Sequence, residues 1–196
     1  MLGFEIVPKE YNFENQPKKL TMNTLVTYYS HTGNNRFLAR QIAEKLEADI
    51  EEIKPLVNAH LLLLSGLGLG IKKLQKNPGD YDRVIVCGPV WMGSFIYPLR
   101  KFMEKYQNLV KEWLFISCCG SSYKLKDDKY GHEMVFRKIK KTFPELNIQC
   151  RALPITMTMP DDKQEDPKAM METRLTEENF KGLYLEKFNE LMREIA

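Results

Sequence analysis

Thr24-Leu-Val-Thr-Tyr-Tyr-Ser-His-Thr-Gly-Asn-Asn35 is the stretch on which the reading of this chain turns. Its first half, Leu25 to Tyr29, is β-branched and aromatic, the composition of a buried strand. Its second half is abruptly polar. Phe37, Leu38, Ile42 and Leu46 then recur at helical spacing, with Ala39 and Ala43 beside them. A strand therefore passes into a helix through a loop of hydrogen-bonding residues, in which Gly33 can take backbone angles that other residues resist. The first turn of such a helix has unpaired N–H groups and the positive end of the dipole, which together attract an anion. Ser30, Thr32, Asn34 and Asn35 can add side-chain donors without adding charge. Two readings stand at this point: a cradle for a phosphate, or a helix merely capped by Asn34 or Asn35, as any strand–helix unit needs.

The rest of the chain bounds the choice. Its 196 residues suit one domain, and 43% apolar content is enough for a substantial core. A net charge of +3 among 28% charged residues is no argument for nucleic acid. Residues 1–23 lack the apolar core of a signal peptide and the Arg-rich pattern of a transit peptide, and read as an arm or an added strand before a domain at 24–196. The longest apolar run, Leu61 to Ile71, is too short to span a bilayer and contains Gly66, Gly68 and Gly70. Those glycines lack both the G-x-G-x-x-G spacing and the place after a first strand that dinucleotide binding requires, so a covering helix or a partner surface is expected there. A single cytoplasmic domain is expected, monomeric or homodimeric, with no membrane or nucleic-acid partner. The four cysteines, Cys87, Cys118, Cys119 and Cys150, form no C-x-x-C and read as buried thiols. A redox pair at Cys118-Cys119 is the lesser alternative, because adjacent cysteines meet disulfide geometry only with strain.

Further elements follow in alternation. Ala48 to Ile53 reads as an edge strand by its polar alternation. Arg83 to Cys87 reads as a central strand ending in Gly88-Pro89-Val90-Trp91-Met92-Gly93, followed by a helix over Pro98 to Tyr106. Trp113 to Cys118 is a third buried strand, closing in Cys119-Gly120-Ser121-Ser122-Tyr123. Met134, Val135, Ile139 and Phe143 mark a helix whose wet side carries Arg137, Lys138, Lys140 and Lys141. Ile148 to Met159 holds another strand, interrupted by Pro154 and so placed at an edge. The last helix presents Phe180, Tyr184, Phe188, Leu191 and Ile195 as one stripe, with Thr176 as its N-cap. Such alternation calls for a parallel sheet with helices on both faces, and ligands in such sheets bind beyond the carboxyl ends of the strands, where strand order reverses. With order 2-1-3-4-5, the three polar turns converge on one crevice.

The chain here resembles the flavodoxin family, through Tyr28-Tyr-Ser-His-Thr-Gly-Asn-Asn35, Val86-Cys-Gly-Pro-Val-Trp-Met-Gly93 and Ser117-Cys-Cys-Gly120. The resemblance implies a flavodoxin-like three-layer α/β sandwich with FMN as cofactor. It implies that Ser30, Thr32, Gly33, Asn34 and Asn35 hold the FMN phosphate. Pro89, Val90, Trp91, Met92 and Gly93 would line one side of the ring, with Trp91 stacking on it. Cys119, Gly120 and Ser121 would meet the other side, and Tyr123 would stack on it or cover it. His31 lies in the phosphate loop, either donating a hydrogen bond or acting as a solvent-facing spacer. A backbone carbonyl between Trp91 and Gly93 is expected to accept from N5 of the reduced flavin. Two departures set the chain apart: Asn35 stands where the family usually has a hydroxyl residue, and the last turn lacks the acidic, aromatic pattern of electron-carrier flavodoxins.

The functions implied are an FMN electron carrier serving a redox partner protein, or an FMN-dependent NAD(P)H oxidoreductase acting on a quinone or another small acceptor. A cofactor-free binding domain on the same fold is the third possibility. A receiver domain would place Asp where Ser30 and Gly88 stand, and neither C-x₅-R nor a P-loop is present. No side chain is needed as nucleophile or general acid, and no metal-ligand spacing is seen.

Overall fold

The computed structural model describes residues 22–57, 70–91, 93–122 and 131–196. The arm at 1–21 and most of the glycine-bearing apolar run lie outside the described residues. Five parallel strands form the main sheet in the order β2-β1-β3-β6-β7. They are β1 (Thr24–Tyr28), β2 (Asp49–Glu52), β3 (Arg83–Cys87), β6 (Glu112–Ser117) and β7 (Ile148–Ala152). A small antiparallel hairpin, β4 (Val90–Trp91) and β5 (Ser94–Phe95), follows β3. The helices are α1 (Asn34–Leu46), α2 (Tyr97–Tyr106), α3 (His132–Thr142), the short α4 (Pro167–Glu172) and α5 (Gly182–Ile195).

The burial of each strand follows from its composition. Every residue of β1 and β3 is buried, as expected of parallel strands covered on both faces. The polar β2 and β7 form the two edges. Alternate side chains point to opposite faces, so the sheet feeds two cores. On one face Leu25, Val84, Val86, Trp113 and Phe115 pack with α2 and α3. On the other, Val26, Ile85, Leu114 and Ile116 pack with α1 and α5. Three layers result. At the amino end of the sheet, buried Arg83 donates to the Ile195 carbonyl and to Thr24 Oγ1, tying the end of α5 to β1 and β3.

Two expectations need correction. Thr176 does not cap the last helix: its carbonyl accepts from the Asn179 and Phe180 N–H groups in a separate turn, and α5 begins only at Gly182. Gly182 has φ +56, a left-handed conformation that ends the preceding turn and starts the helix anew. The last strand, expected within Ile148 to Met159, stops at Ala152, and past Pro154 the chain enters a 3₁₀ turn, Ile155–Thr158. The covering helix or partner surface expected over Leu61 to Ile71 falls almost wholly outside the described residues; from residue 70 to 82 the described chain contains a bridge of Ile71 to Pro55 and one 3₁₀ turn, Pro78–Asp80.

Gly88 shows how tightly the carboxyl end of β3 meets α2. A Cβ there would lie 2.3 Å from Leu99 Cδ1, and Leu99 is fully buried. Gly88→Ala should cost about 1–3 kcal/mol by overpacking. In a Leu99→Ala background that added cost should largely vanish, as measured by urea denaturation of the four variants of the cycle.

Candidate cofactor site at the strand ends

The turn from β1 into α1 is shaped by Gly33, which sits at the N-cap position with φ +97 and no side-chain cap. Ser30 Oγ accepts from the Gly33 N–H at 3.1 Å, closing the loop on itself. The two asparagines that follow do not cap the helix, and their side chains do not add donors to the loop. Asn34 Nδ2 donates to the Thr173 carbonyl at 3.3 Å, and its Oδ1 accepts from the Leu175 N–H at 3.0 Å. Asn35 Nδ2 donates to the Cys118 carbonyl and its Oδ1 accepts from the Cys118 N–H, both at 2.9 Å. Each amide thus pairs with backbone as a peptide group would, and both side chains are buried.

The backbone N–H groups of Asn34, Asn35 and Arg36 have no acceptor among the described residues. They open a helix of 13 residues with no acidic side chain in its first turn. That is a positive, donor-rich end. Arg36 Nη2 lies 3.7 Å from where a side chain on Gly33 would begin, so an exposed guanidinium leans over the same loop. Arg36 carries a local signal of its role: it is a cation in the first turn of a helix, where the dipole disfavours it. His31 and Thr32 are exposed.

The turn after β3 meets the first one through aromatic edges. Trp91 is half-buried, at the margin of the core that contains α2 and α3. Its ring centroid lies 6.0 Å from that of Tyr29 and 5.9 Å from that of His31, at interplanar angles of 74° and 89°. Edge-to-face packing of this kind leaves a ring face uncovered by those partners. Pro89 and Gly93 are buried, Val90 is half-buried, and Gly93 turns the hairpin at φ +65. The Gly93 carbonyl accepts from Lys138 Nζ of α3 at 2.8 Å. Lys138 is exposed, as expected of the wet basic face, but its contact spans 45 residues of sequence and has no local signal.

The third turn, after β6, is fixed from three sides. Asn35 holds Cys118, the Ile155 N–H donates to the Cys119 carbonyl, and Thr156 Oγ1 donates to the Ser121 carbonyl. Cys119 Sγ lies 3.1 Å from Ser121 Oγ. Gly120 is exposed and Ser121 half-buried. Burial pushes the Cys118 thiol up to about 12 and raises that of Cys119, which favours the protonated form of both. Met92 and Tyr123 lie outside the described residues. The structure therefore joins the first turn to the second through His31 and Trp91, and the first to the third through Asn35 and Cys118. Among the described residues no group of three or more His, Cys, Asp or Glu is placed to hold a metal, and no helix is long and apolar enough to cross a membrane.

No family model matches the chain. Among curated proteins, an uncharacterized protein of Archaeoglobus fulgidus is 30% identical over 95 residues, a match that covers 47% of this chain and 63% of that relative's length. Among solved structures, a provisionally assigned flavoprotein from Bacteroides eggerthii superposes with a TM-score of 0.56 at 22% identity, covering 66% of this chain and 86% of that one. A flavoprotein from Lactobacillus acidophilus in complex with FMN gives a TM-score of 0.54 at 18% identity, covering 67% of this chain and 92% of that one. With its strand order, its two helical faces and these neighbours, the chain has the flavodoxin-like fold.

Proposed function

We propose that the protein binds FMN across these three turns and carries electrons through it. The observation that carries the proposal is at the start of α1. Asn34 and Asn35 use their side chains to hold neighbouring loops, and so leave a row of backbone N–H groups without acceptors beside a half-buried tryptophan. That arrangement suits a ligand with a phosphate at one end and a flat apolar ring at the other. The FMN held by the structurally similar flavoprotein of Lactobacillus acidophilus has that form.

The roles follow from the geometry. The N–H groups of Asn34, Asn35 and Arg36 and the hydroxyls of Ser30 and Thr32 would bind the phosphate, with Gly33 allowing the close approach and Arg36 adding a positive charge. Trp91 would give the ring its stacking surface, while Pro89, Val90 and Gly93 on one side and Cys119, Gly120 and Ser121 on the other would exclude water. His31, edge-on to Trp91, would support that indole more than it touches the phosphate. Bound FMN supplies one- and two-electron transfer, and the protein supplies binding, orientation and electrostatics.

Titration of the flavin-free protein, followed by quenching of flavin fluorescence, tests the proposal. FMN should bind, and riboflavin, lacking the phosphate, should bind roughly ten- to a hundredfold more weakly, the value of a charge-assisted contact. Equal binding of the two, or of neither, would contradict it. Trp91→Ala should weaken FMN binding by about 1–3 kcal/mol, as loss of an aromatic stacking platform does. A carrier should show negligible turnover with NADPH and a quinone; steady turnover would make the protein an oxidoreductase instead. Asn35→Ala should lower stability by roughly 1–3 kcal/mol for each of the two buried Cys118 groups it leaves without a partner, measured by chemical denaturation of the flavin-free chain.

A further inference from the structure

We propose that Lys138, on α3, is a positioning residue for the Trp91 hairpin: its ammonium grips the Gly93 carbonyl and so fixes the indole on which the flavin would stack. The consequence for binding rests on the FMN reading above; the grip itself does not.

Strands β4 and β5 have two residues each, and a ribbon that short has no stability of its own. Its place must come from outside contacts. One is Phe95, whose ring stands edge-on to Phe115 of β6 at 5.4 Å. Phe115 in turn meets Phe136 of α3 at 6.0 Å, so the hairpin and α3 share one core aromatic. The second is the 2.8 Å bond from Lys138 Nζ to Gly93. The hairpin pairs Val90 with Phe95 and Trp91 with Ser94, which leaves the Gly93 carbonyl in the turn and outside that pairing. Gly93 is buried, and a buried carbonyl without a partner is costly.

Lys138 fits the task. Its neighbours Val135 and Ile139 are fully buried, so the helix that carries it is firmly seated. No carboxylate pairs with Lys138 among the described residues; the basic stretch Arg137, Lys138, Lys140 and Lys141 offers only like charge beside it. Its described partner is the glycine carbonyl. An ammonium donor makes the bond stronger than a neutral donor would. Phe95 fixes one arm of the hairpin and Lys138 its bend, and Trp91 is then held between that bend and its edge contacts to Tyr29 and His31. A helix with no residue in the phosphate loop thereby sets the attitude of the stacking ring.

The test compares wild type, Lys138→Met, which keeps length but loses the donor, and Lys138→Arg, which keeps a charged donor. Hydrogen exchange at the Ser94 and Phe95 amides is measured without flavin, alongside FMN affinity. Lys138→Met should speed exchange by about tenfold and weaken FMN binding by about tenfold, with the urea midpoint little changed. Lys138→Arg should return both towards wild type. Unchanged exchange in Lys138→Met, or no rescue by arginine, would overturn the grip. Faster exchange with unaltered FMN affinity would overturn the positioning role. If wild type took up no FMN, the flavin reading would fail, and the exchange measurement would still decide the grip.

Discussion

Two hydrogen bonds of 2.9 Å between the side-chain amide of Asn35 and the backbone of Cys118, one donated by each residue, hold the carboxyl end of the sheet together. They join the first turn of α1 to the last residue before the β6 loop, across the carboxyl edge of the sheet. Without them the N–H and C=O of Cys118 would be buried with nothing to replace water, and the two loops would have no common register. Asn34 makes the equivalent pairing to the 173–175 segment. Both amides lie inside the first helical turn, so the bonds that anchor the neighbours also fix how the helix end is presented. The backbone donors are left over because the side chains are occupied elsewhere.

The site is therefore built from parts of unequal firmness. The β1 and β6 turns are held by buried amide–backbone pairs and, behind Cys119 and Ser121, by bonds from the 3₁₀ turn that begins at Ile155. By contrast, among the described residues the hairpin that carries Trp91 is seated by ring contacts, Trp91 to Tyr29 and His31 and Phe95 to Phe115, and by the Lys138 bond at its bend. Cys118 and Cys119 are buried in this arrangement, and burial raises the pKa of both thiols.

Much of the fold could be read from the chain because it is written locally. Arg83 to Cys87 is apolar throughout since β3 is buried on both faces, and its bounds match the structure. Ala48 to Ile53 reads as an edge since its charges must reach water, and the strand observed there is Asp49 to Glu52. The last helix shows where local reading stops. Phe180 does belong to the apolar stripe, packing on Phe37, Tyr184 and Phe188, yet it lies in a turn that Gly182 separates from α5. A stripe records burial, and it does not record continuity of the backbone. The candidate site was legible as three turns, but the work of its residues was not. Asn34 and Asn35 looked like caps or phosphate donors because nothing in the sequence reveals partners 141 and 83 residues away. Lys138 is exposed, as its place on the wet side of the helix implies, but its bond to Gly93 leaves no trace in the local sequence.

The central claim is that backbone donors at the start of α1 receive the phosphate while the asparagine side chains stay with the neighbouring loops. It is tested most directly by nuclear magnetic resonance of ¹⁵N-labelled protein during addition of FMN. The account predicts large shifts of the backbone amides of Asn34, Asn35 and Arg36, with the Asn34 and Asn35 side-chain amide signals nearly unmoved. Backbone signals that stay in place while the side-chain amides shift, or no response of either, would contradict it.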